Sequence, residues 1–505
     1  QDLHKVLLLY SLNSQLDLEL ITSFDRVDPQ AVLWCCIGLC CTPFCGSERA
    51  YGRREQLLGY LCGRLAQDQL EERALYLLSV TLYMYCSYAS GPDKHAIKGL
   101  IHSQWRQRLA VQGLTDLVPR GGAWAQPVQP RPDGKPLLLI LHEWLATGSA
   151  MNRCYANWIA ALRQRFHTVG MGMKQGTGMD PQALALFDSY VPLPEGVPIP
   201  QTVHAIWNWC QQHQPAAVYY PSIGMSSHTV AAASIRLAPL QVMTQGHPAT
   251  TGGSCIDVLL SSADYTCLHG ESLLDPSLIE EQLVLVPAGS MSWLTPAHQA
   301  GPSPDRAERQ RSRIANPGLI PQIVISASPM KLSAPFLQLC QRAWRRTQGK
   351  AFWHFFVAEA RGALHLEIAR TIRSFLGEDC QVYPHLNYHD YIKALEVGDI
   401  FLTPFPFGNS NTLYDYFAAG LVGVNLRSAE LSCCVDTCLF NRLGFPDPLI
   451  TNTINDYEEI VTRLIVDSDW RQQMYHQTYD SAADQHALFS GGDASKFADT
   501  LAALL

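Results

Sequence analysis

The spacing of apolar residues changes near residue 130, dividing the chain into a helical part and a part built of short strands. Before that point apolar residues recur three and four positions apart, and no glycine or proline interrupts residues 64–88. Such spacing is typical of amphipathic helices, so residues 1–130 are predicted to form an all-α domain. Residues 119–136 are dense in proline and glycine and indicate a linker.

Beyond the linker, short apolar runs that end in turn residues alternate with helical stretches. Continuous apolar runs of this kind favour parallel strands buried on both faces. The runs are PLLLILHEW, AAVYYPSIG, LQVMTQGHP, IDVLLSS and LVLVPAGS, then PQIVISASP, AFWHFFVAE, CQVYPH, DIFLTPFPFG and GLVGVNL. A proline-rich break at 294–305 separates the two series.

The predicted fold class is therefore α/β, with two doubly wound, Rossmann-like domains behind the all-α domain. We expect them at residues 136–295 and 318–505, with helices from about residue 470 closing the second. Two such domains in tandem place a ligand in the cleft between them, at the carboxyl ends of their strands.

Composition excludes several classes of protein. The chain has 505 residues, 47% of them hydrophobic and 16% charged, which suits two or three large cores. The net charge is −8 and the one tight basic run is Arg306 to Arg313, so no nucleic-acid partner is expected. No uncharged apolar stretch reaches the ~18 residues of a membrane span. The first residues lack Met and a signal-peptide pattern, so we expect an incomplete or processed start.

Sixteen cysteines are the unusual feature of this composition, and five of them crowd the Cys35–Cys45 segment. Their spacing fits no zinc motif, and the residues between them are mostly apolar. Core packing in a buried helix is favoured over a metal or redox site, here and in a second group at Cys433–Cys438. So many unpaired thiols indicate a reducing cytoplasm.

Candidate chemistry is concentrated at residues 399–426. A strand over Ile400–Thr403 runs into a Pro, Gly and Asn turn, and a helix is predicted to begin near Asn411 and end at Gly420. Backbone N–H groups of 409–412 would then lie free at a helix N-terminus, which suits a diphosphate. Asp415, one turn further on, could accept from sugar hydroxyls. The alternative is an ordinary N-cap with a solvated Asp415.

Three further strand ends carry polar residues. Ser326, Ser328 and Lys331 follow one strand, where Lys331 could neutralise phosphate or simply be solvated. His247 follows another, ahead of a loop rich in Gly and Thr, and could serve as an acid–base group, donate to phosphate or be structural.

Beyond the strand in CQVYPH, His385 precedes Tyr388 and Tyr391. A flat base could stack on these aromatic side chains. The alternative is the start of a helix with exposed aromatic residues.

Several short motifs follow one another along the two α/β series. They are PSIGM (221–225), RLAP-Q----GHPATT (236–251), PMKL (329–332), YPH--YH-Y (383–391) and PFPFGN-N---D (404–415), followed by GLVGV and FNRLGFP. A shorter motif lies in the helical region, at MYCSY----KH--K (84–98). Together these motifs resemble a known family, the bacterial cytoplasmic glucosyltransferases of high-molecular-weight adhesins, which are related to O-GlcNAc transferases. The family's helical domain is longer at its start, so part of it is expected to be missing here.

The resemblance implies a GT-B fold and an inverting, metal-independent transfer of a hexose from a UDP-sugar, with no cofactor. By matched position, Lys331 would neutralise the diphosphate, Asn411 would hold it, Asp415 would bind the ribose, and the His385 loop would contact uracil, with Tyr391 stacking. His247 is the candidate for assisting the acceptor. The full predicted donor set is Ser328, Lys331, His385, Tyr391, Gly408, Asn409, Asn411, Thr412 and Asp415.

On the acceptor side, the sequence departs from the family. Tyr85, Trp144 and Ser149 stand where members carry histidines, and Glu359 stands near a family Gln. The expected partners are UDP-glucose or another UDP-hexose and an adhesin-like protein acceptor, with Asn favoured. Transfer to Ser or Thr, another sugar, or a non-catalytic partner subunit are the alternatives.

Overall fold

The computed structural model describes residues 2–125, 133–173, 181–294, 313, 316, 318–479 and 492–505. The two predicted linkers lie partly outside this range, and so does the basic run apart from Arg313. Among the described residues, no helix is long and apolar enough to cross a membrane.

The chain begins with a bundle of helices, as the apolar spacing predicts. Side-chain caps set their starts: Asp28 accepts from Ala31 N and Ser47 from Ala50 N. Helix α5 continues through a π-helical turn (Leu78–Leu82) and α6 into a 3-10 turn (Cys86–Tyr88). The α-helices are α1 (Asp2–Leu9), α2 (Leu18–Ser23), α3 (Pro29–Cys40), α4 (Glu48–Leu65), α5 (Glu72–Leu77), α6 (Tyr83–Tyr85) and α7 (Ala96–Val111).

A seven-stranded parallel sheet follows, in the order β3-β2-β1-β4-β5-β6-β9. Its central strands are buried along their whole length, which explains their unbroken apolar sequence. Its elements are β1 (Leu137–Leu141), α8 (Ala150–Leu162), β2 (His167–Gly172), α9 (Pro181–Leu184), β3 (Ser189–Pro192), α10 (Ile199–His213), β4 (Ala217–Tyr220), α11 (Ser227–Ala232), β5 (Leu240–Thr244), β6 (Val258–Ser262), α12 (Ala263–Thr266), the small hairpin β7 (Cys267–Leu268) and β8 (Glu271–Ser272), and β9 (Gln282–Val286).

The second sheet has six parallel strands in the order β12-β11-β10-β13-β14-β15. In both sheets the strand order reverses next to the first strand, between β1 and β4 and between β10 and β13, as in Rossmann-like sheets. This reversal leaves a crevice at the carboxyl ends of the strands. The predicted GT-B arrangement is confirmed. The elements are β10 (Gln322–Ala327), α13 (Ala334–Arg346), β11 (Phe352–Val357), α14 (Gly362–Leu376), β12 (Cys380–Tyr383), α15 (Tyr388–Leu395), β13 (Ile400–Leu402), α16 (Asn411–Ala418), β14 (Val422–Leu426), α17 (Leu431–Arg442), β15 (Ile450–Thr451), α18 (Ile454–Val466), α19 (Ser468–Tyr479) and α20 (Ser495–Ala502).

The prediction that the helices from about residue 470 close the second Rossmann-like domain is wrong for the last of them. Helix α19 does pack on the second sheet's domain, where Tyr479 donates to the carbonyl of Leu421 at 2.7 Å. Helix α20 crosses back to the first domain instead, because its apolar face carries Phe497 against Trp158 and Tyr219, with ring centroids 5.9 Å apart in each pair. The end of the chain therefore links the two Rossmann-like domains.

The cysteine prediction is confirmed as core packing. All sixteen cysteines are free thiols, and within the first cluster Cys36, Cys40 and Cys45 are buried in the helical domain. Burial raises the pKa of the Cys36 thiol to about 12, so this thiol stays protonated and unreactive. In the described part of the chain, no cluster of three or more His, Cys, Asp or Glu side chains is arranged to hold a metal ion.

Candidate functional site

Lys331 lies at the carboxyl end of β10, at the end of a short 3-10 turn (Pro329–Lys331) that Ser328 precedes. Its ammonium lies 5.3 Å from the centroid of the Phe407 ring and makes no hydrogen bond with a described residue. Burial lowers the pKa of Lys331 to about 8, against the opposing influence of the Asp436 carboxylate. A cation left without a hydrogen-bond partner at a strand end is available to an anionic ligand.

The loop after β13 has the predicted shape but not the predicted free amides. Helix α16 begins at Asn411 and ends before Gly420, whose φ is +67°. The prediction that the N–H groups of 409–412 are free is wrong. A buried carboxylate that sequence reasoning missed, Asp436 of α17, accepts from Asn409 N and Ser410 N at 2.6 Å each.

Little of this helix N-terminus is left without a partner. Thr412 N donates to the carbonyl of Asn409 at 3.3 Å, and Leu413 N to that of Ser410 at 3.0 Å. Asn411 N makes no hydrogen bond with a described residue, and neither does the buried side-chain amide of Asn409. An anion here would therefore meet one backbone donor and the dipole of α16, since the Asn409 amide is buried.

Asp415 is buried rather than solvated, so the solvated alternative is wrong. Tyr388 donates to its carboxylate at 2.8 Å, and the Arg153 guanidinium lies 3.7 Å from it. Burial raises the pKa of Asp415 to about 6, while Arg153 and the Tyr388 hydroxyl oppose that shift. The Asp415 carboxylate, which the sequence assigns to the ribose, is therefore already paired with the Tyr388 hydroxyl and the Arg153 guanidinium.

Arg153 is the second important residue that sequence reasoning missed. It belongs to α8 of the first Rossmann-like domain, and its Nη2 and Nε donate across the cleft to Asn411 Oδ1 at 2.7 and 3.2 Å. The Cys154 thiol donates to the same oxygen at 3.3 Å. Arg153 is the one charged residue in the sequence of α8, AMNRCYANWIAAL, and that isolation is the signal that could have singled it out.

The predicted uracil end lies around His385. Its Nδ1 accepts from Glu359 N at 3.1 Å, and its own backbone N–H donates to the carbonyl of Ala360 at 2.9 Å. The Tyr391 hydroxyl is buried and its ring lies edge-on to Phe356, at 6.1 Å between centroids. Tyr388 is the more accessible aromatic side chain, at 37% exposure.

His247 lies where the helical domain meets both Rossmann-like domains. Its ring stacks on Phe407 at 5.7 Å, and Tyr88 of the helical domain stacks on the same ring at 4.3 Å. Nε2 is hydrogen-bonded to the Ser87 hydroxyl at 2.8 Å. Burial, reinforced by the nearby Lys98 and Lys331, holds the pKa of His247 well below 6.5. The imidazole is therefore neutral and a weak proton acceptor.

The four residues that the sequence assigns to the acceptor side come from three parts of the chain: Tyr85 from the helical domain, Trp144 and Ser149 from the segment after β1, and Glu359 from the segment after β11. Trp144, just beyond β1, is 47% exposed, whereas Tyr85 is partly buried and packs edge-on against Tyr88. The Ser149 hydroxyl is used as the N-cap of α8 and accepts from Asn152 N at 3.0 Å. Glu359 is exposed with a positive φ of 62°. Burial and, after it, the nearby Glu359 carboxylate raise the pKa of Tyr85.

Glu143, at the end of β1, fixes the neighbouring loop. The buried carboxylate accepts five hydrogen bonds, which come from Ser222 Oγ, Thr229 Oγ1, Gly224 N, Met225 N and Ser226 N. Gly224 in that loop has a φ of +121°, and a Cβ there would lie 2.9 Å from the Tyr83 ring. Glu143 therefore shapes the wall of the cleft where the first Rossmann-like domain meets the helical domain.

Comparison with known proteins gives matches of three kinds. The HMW1 domain 2 family matches residues 23–109. Two UDP-glucose:protein N-beta-glucosyltransferases from Actinobacillus pleuropneumoniae, of serotype 5b (strain L20) and serotype 7 (strain AP76), are 29% and 28% identical over 461 residues, covering 91% of this chain and 70% of each relative. A solved O-GlcNAc transferase mutant from Thermobaculum terrenum shares the fold, with a TM-score of 0.63 at 16% identity, over 100% of this chain and 97% of that one.

Proposed function

We propose, on the premise that this chain is a glycosyltransferase of the GT-B fold, that it transfers a hexose from a UDP-sugar to a side chain of a protein. The relatives that match 91% of the chain are named as UDP-glucose:protein N-beta-glucosyltransferases, which makes glucose the favoured sugar and asparagine the favoured acceptor. An adhesin-type bacterial protein is the proposed substrate.

The observation that carries the donor half of this proposal is the state of Lys331. Its ammonium has no hydrogen-bond partner among the described residues, and it lies beside a loop in which Asn411 N and the Asn409 amide are also without partners. A diphosphate could accept from the Lys331 ammonium and from Asn411 N, whereas the Asn409 amide is buried beneath the loop. Arg153 reaches the same place from the other Rossmann-like domain, so donor binding would engage both sides of the cleft.

The chemistry then follows from leaving-group stabilisation. The bond between the anomeric carbon and the β-phosphate oxygen breaks, and its electron pair remains on UDP. The acceptor atom attacks from the opposite face of the sugar, which inverts the anomeric configuration, and its proton is released. Lys331 and the N-terminus of α16 would stabilise the charge that develops on UDP, so we propose that no metal ion is needed.

His247 has a smaller role in this proposal than in the sequence-based prediction. Its Nε2 is engaged by Ser87, and its depressed pKa makes it a poor base. The imidazole supports the Phe407 ring, over which Lys331 lies. The proposal therefore assigns the rate enhancement to the donor side of the cleft. A cytoplasmic location is proposed on the sixteen free thiols, which are typical of a reducing compartment.

The test is transfer to peptides, followed by mass spectrometry, with UDP-glucose and other UDP-hexoses as donors and peptides containing Asn, Ser, Thr or Gln as acceptors. The expected result is one hexose added to the Asn peptide from UDP-glucose, unaffected by a metal chelator and absent in Lys331→Met. Transfer to the Ser or Thr peptide alone would favour the alternative function, in which the acceptor is a hydroxyl rather than an asparagine amide. UDP-glucose binding with every peptide left unmodified would favour the non-catalytic alternative.

A further inference from the structure

Asp436 is a buried carboxylate placed against the loop that we assign to the donor diphosphate. It lies in the middle of α17, is 0% exposed, and uses one oxygen for Asn409 N and the other for Ser410 N. Both hydrogen bonds are 2.6 Å long, as expected when the acceptor carries a charge. An acidic side chain beside a diphosphate site opposes ligand binding by charge, so its presence calls for a compensating role.

The contacts around Asp436 show that helix α17 moulds the loop. A Cβ at Gly408 would lie 2.5 Å from the Asp436 carboxylate and 2.9 Å from the carbonyl of Ser432, so only glycine fits. Gly408 N donates to that same carbonyl at 3.2 Å, and the Cys433 thiol donates to the carbonyl of Pro406 at 3.0 Å. Three consecutive amides of the loop are therefore fixed by one helix.

The conformation of Ser410 explains why such fixing is needed. Its φ is +49°, in the left-handed region that non-glycine residues rarely adopt, and this backbone turn directs the next residue, Asn411, into the start of α16. The hydrogen bond from Ser410 N to Asp436 holds the turn. Without it, the loop would relax, and the free Asn411 N–H would lose its direction.

Asp436 also acts on Lys331. The ionisable groups that influence the Lys331 ammonium are Asp436 and Cys433 of α17 and, from the first Rossmann-like domain, His247. Cys433 and His247 are both neutral at pH 7, so Asp436 is the group that offsets the burial of the ammonium. Burial also raises the pKa of Asp436, and the Asn409 and Ser410 amides and the Lys331 ammonium oppose that shift. The carboxylate therefore favours the protonated lysine while it shapes the loop next to it.

We propose that Asp436 is a positioning residue for the donor, which fixes the loop over residues 408–411 next to the Phe407 ring that the Lys331 ammonium faces. This inference rests on the proposed function, since it assigns the ligand of that loop as a nucleoside diphosphate. Asp436 touches no part of the ligand. It acts through the two loop amides that it binds.

The test is a double-mutant cycle on UDP affinity, measured by titration calorimetry with wild type, Asp436→Asn, Lys331→Met and the double variant. An amide offers one acceptor oxygen where the carboxylate offers two, so Asp436→Asn should weaken UDP binding about tenfold or more. Because the loop and Lys331 would hold the same diphosphate, the double variant should lose clearly less than the product of the two single losses. An unchanged affinity in Asp436→Asn, or losses that multiply, would overturn the inference.

Two further variants keep the result interpretable. Asp188→Asn is the matched control, because Asp188 also accepts a backbone N–H, from Thr168 at 2.9 Å, but at the start of β2 in the other domain. Its UDP affinity should equal that of wild type. Gly408→Ala pushes the loop off the carboxylate without changing a charge, and it should weaken UDP binding about tenfold. This variant replaces Asp436→Asn in the test if Asp436→Asn does not fold, and an unchanged UDP affinity in Gly408→Ala would overturn the inference. If wild type itself does not bind UDP, the proposed function fails instead.

Discussion

The bridge made by Arg153 allows a quantitative prediction for the variant Arg153→Met. Methionine keeps much of the side-chain length and packing but removes four interactions with three residues across the cleft. These are the hydrogen bonds to Asn411 Oδ1, at 2.7 and 3.2 Å, the hydrogen bond to the Tyr388 hydroxyl, at 3.3 Å, and the ion pair with Asp415, at 3.7 Å. The Asp415 carboxylate then remains buried without its cation, so its pKa rises further.

The cost of that lost ion pair has an upper limit. Asp415 has a pKa of about 6, so protonating it at pH 7 costs the folded state only about 1.4 kcal/mol. If keeping the unpaired carboxylate charged would cost more than this, the carboxyl of the variant becomes protonated instead. The lost hydrogen bonds to Asn411 and Tyr388 add about 1 kcal/mol each. We therefore expect Arg153→Met to lower the free energy of unfolding by about 3 kcal/mol at pH 7.

The loss should depend on pH with a definite sign. A carboxyl whose folded pKa lies above its unfolded value of 3.8 favours the fold at low pH and loses that favour as pH rises through the folded pKa, here about 6. In the variant the folded pKa is higher still, so stability keeps falling to higher pH. At about pH 5 both proteins carry a protonated Asp415, and the deficit should shrink to about 2 kcal/mol.

Urea unfolding followed by tryptophan fluorescence, at about pH 5 and pH 7, measures both values. Arg163→Met is the matched control, because Arg163 follows the same helix and pairs with Asp188 at 2.9 Å on a more exposed surface. Such exposed pairs contribute about 0–1 kcal/mol, so its deficit should be small at both pH values. A deficit in Arg153→Met that is absent, or larger at pH 5 than at pH 7, would refute the assigned bridge.

Three further predictions concern other parts of the molecule. The pKa of Lys331 is about 8, so the lysine loses its charge above that pH. UDP affinity measured by calorimetry should therefore be constant up to about pH 7.5 and fall about tenfold per pH unit above pH 8. An affinity that is still constant at high pH would argue against a contact between UDP and the ammonium. Four of the five donors to Glu143 share Oε1 and the Ser222 hydroxyl uses Oε2. Glu143→Gln removes the negative charge that these donors face and turns the acceptor opposite Ser222 into a donor, so it should lower the free energy of unfolding by about 2–3 kcal/mol in urea; a change near zero would contradict the buried network. Cys40→Ala removes a fully buried thiol and should cost about 1 kcal/mol of stability with UDP affinity unchanged, while loss of UDP binding would indicate a role in the site.

Most of the sheet could be predicted from the sequence because its central strands are buried on both faces and therefore read as unbroken apolar runs. Two strands that sequence reasoning missed depart from this pattern in different ways: β2 is buried along most of its length but is not an unbroken apolar run, and β3 lies at the edge of the sheet. β2 reads HTVGMG and contains two glycines, and β3 is a four-residue edge strand that ends in Pro192 and has no fully buried residue. Edge strands need neither a continuous apolar sequence nor a long one, so the pattern does not mark them.

The candidate site could be predicted in part, and the missed residues share a physical cause. Lys331, Asn411 and Asp415 follow strand ends and a helix start, which the sequence locates. Asp436 and Arg153 reach the same place from the middle of α17 and from another domain, at separations of 27 and 258 residues from their partners. Such long-range contacts depend on how elements pack, and the local sequence around each residue carries no record of its partner.

The central claim of this account is that a UDP-sugar diphosphate binds against Lys331 in the cleft between the two Rossmann-like domains. Titration of UDP into wild type and Lys331→Met under identical conditions tests it most directly. An ammonium about 4 Å from a phosphate at a partly buried site attracts it strongly, so its removal should weaken UDP binding at least about a hundredfold. Thermal melting should show that the Lys331→Met variant keeps its fold. Equal affinity in the two proteins, or no UDP binding in wild type, would contradict the account.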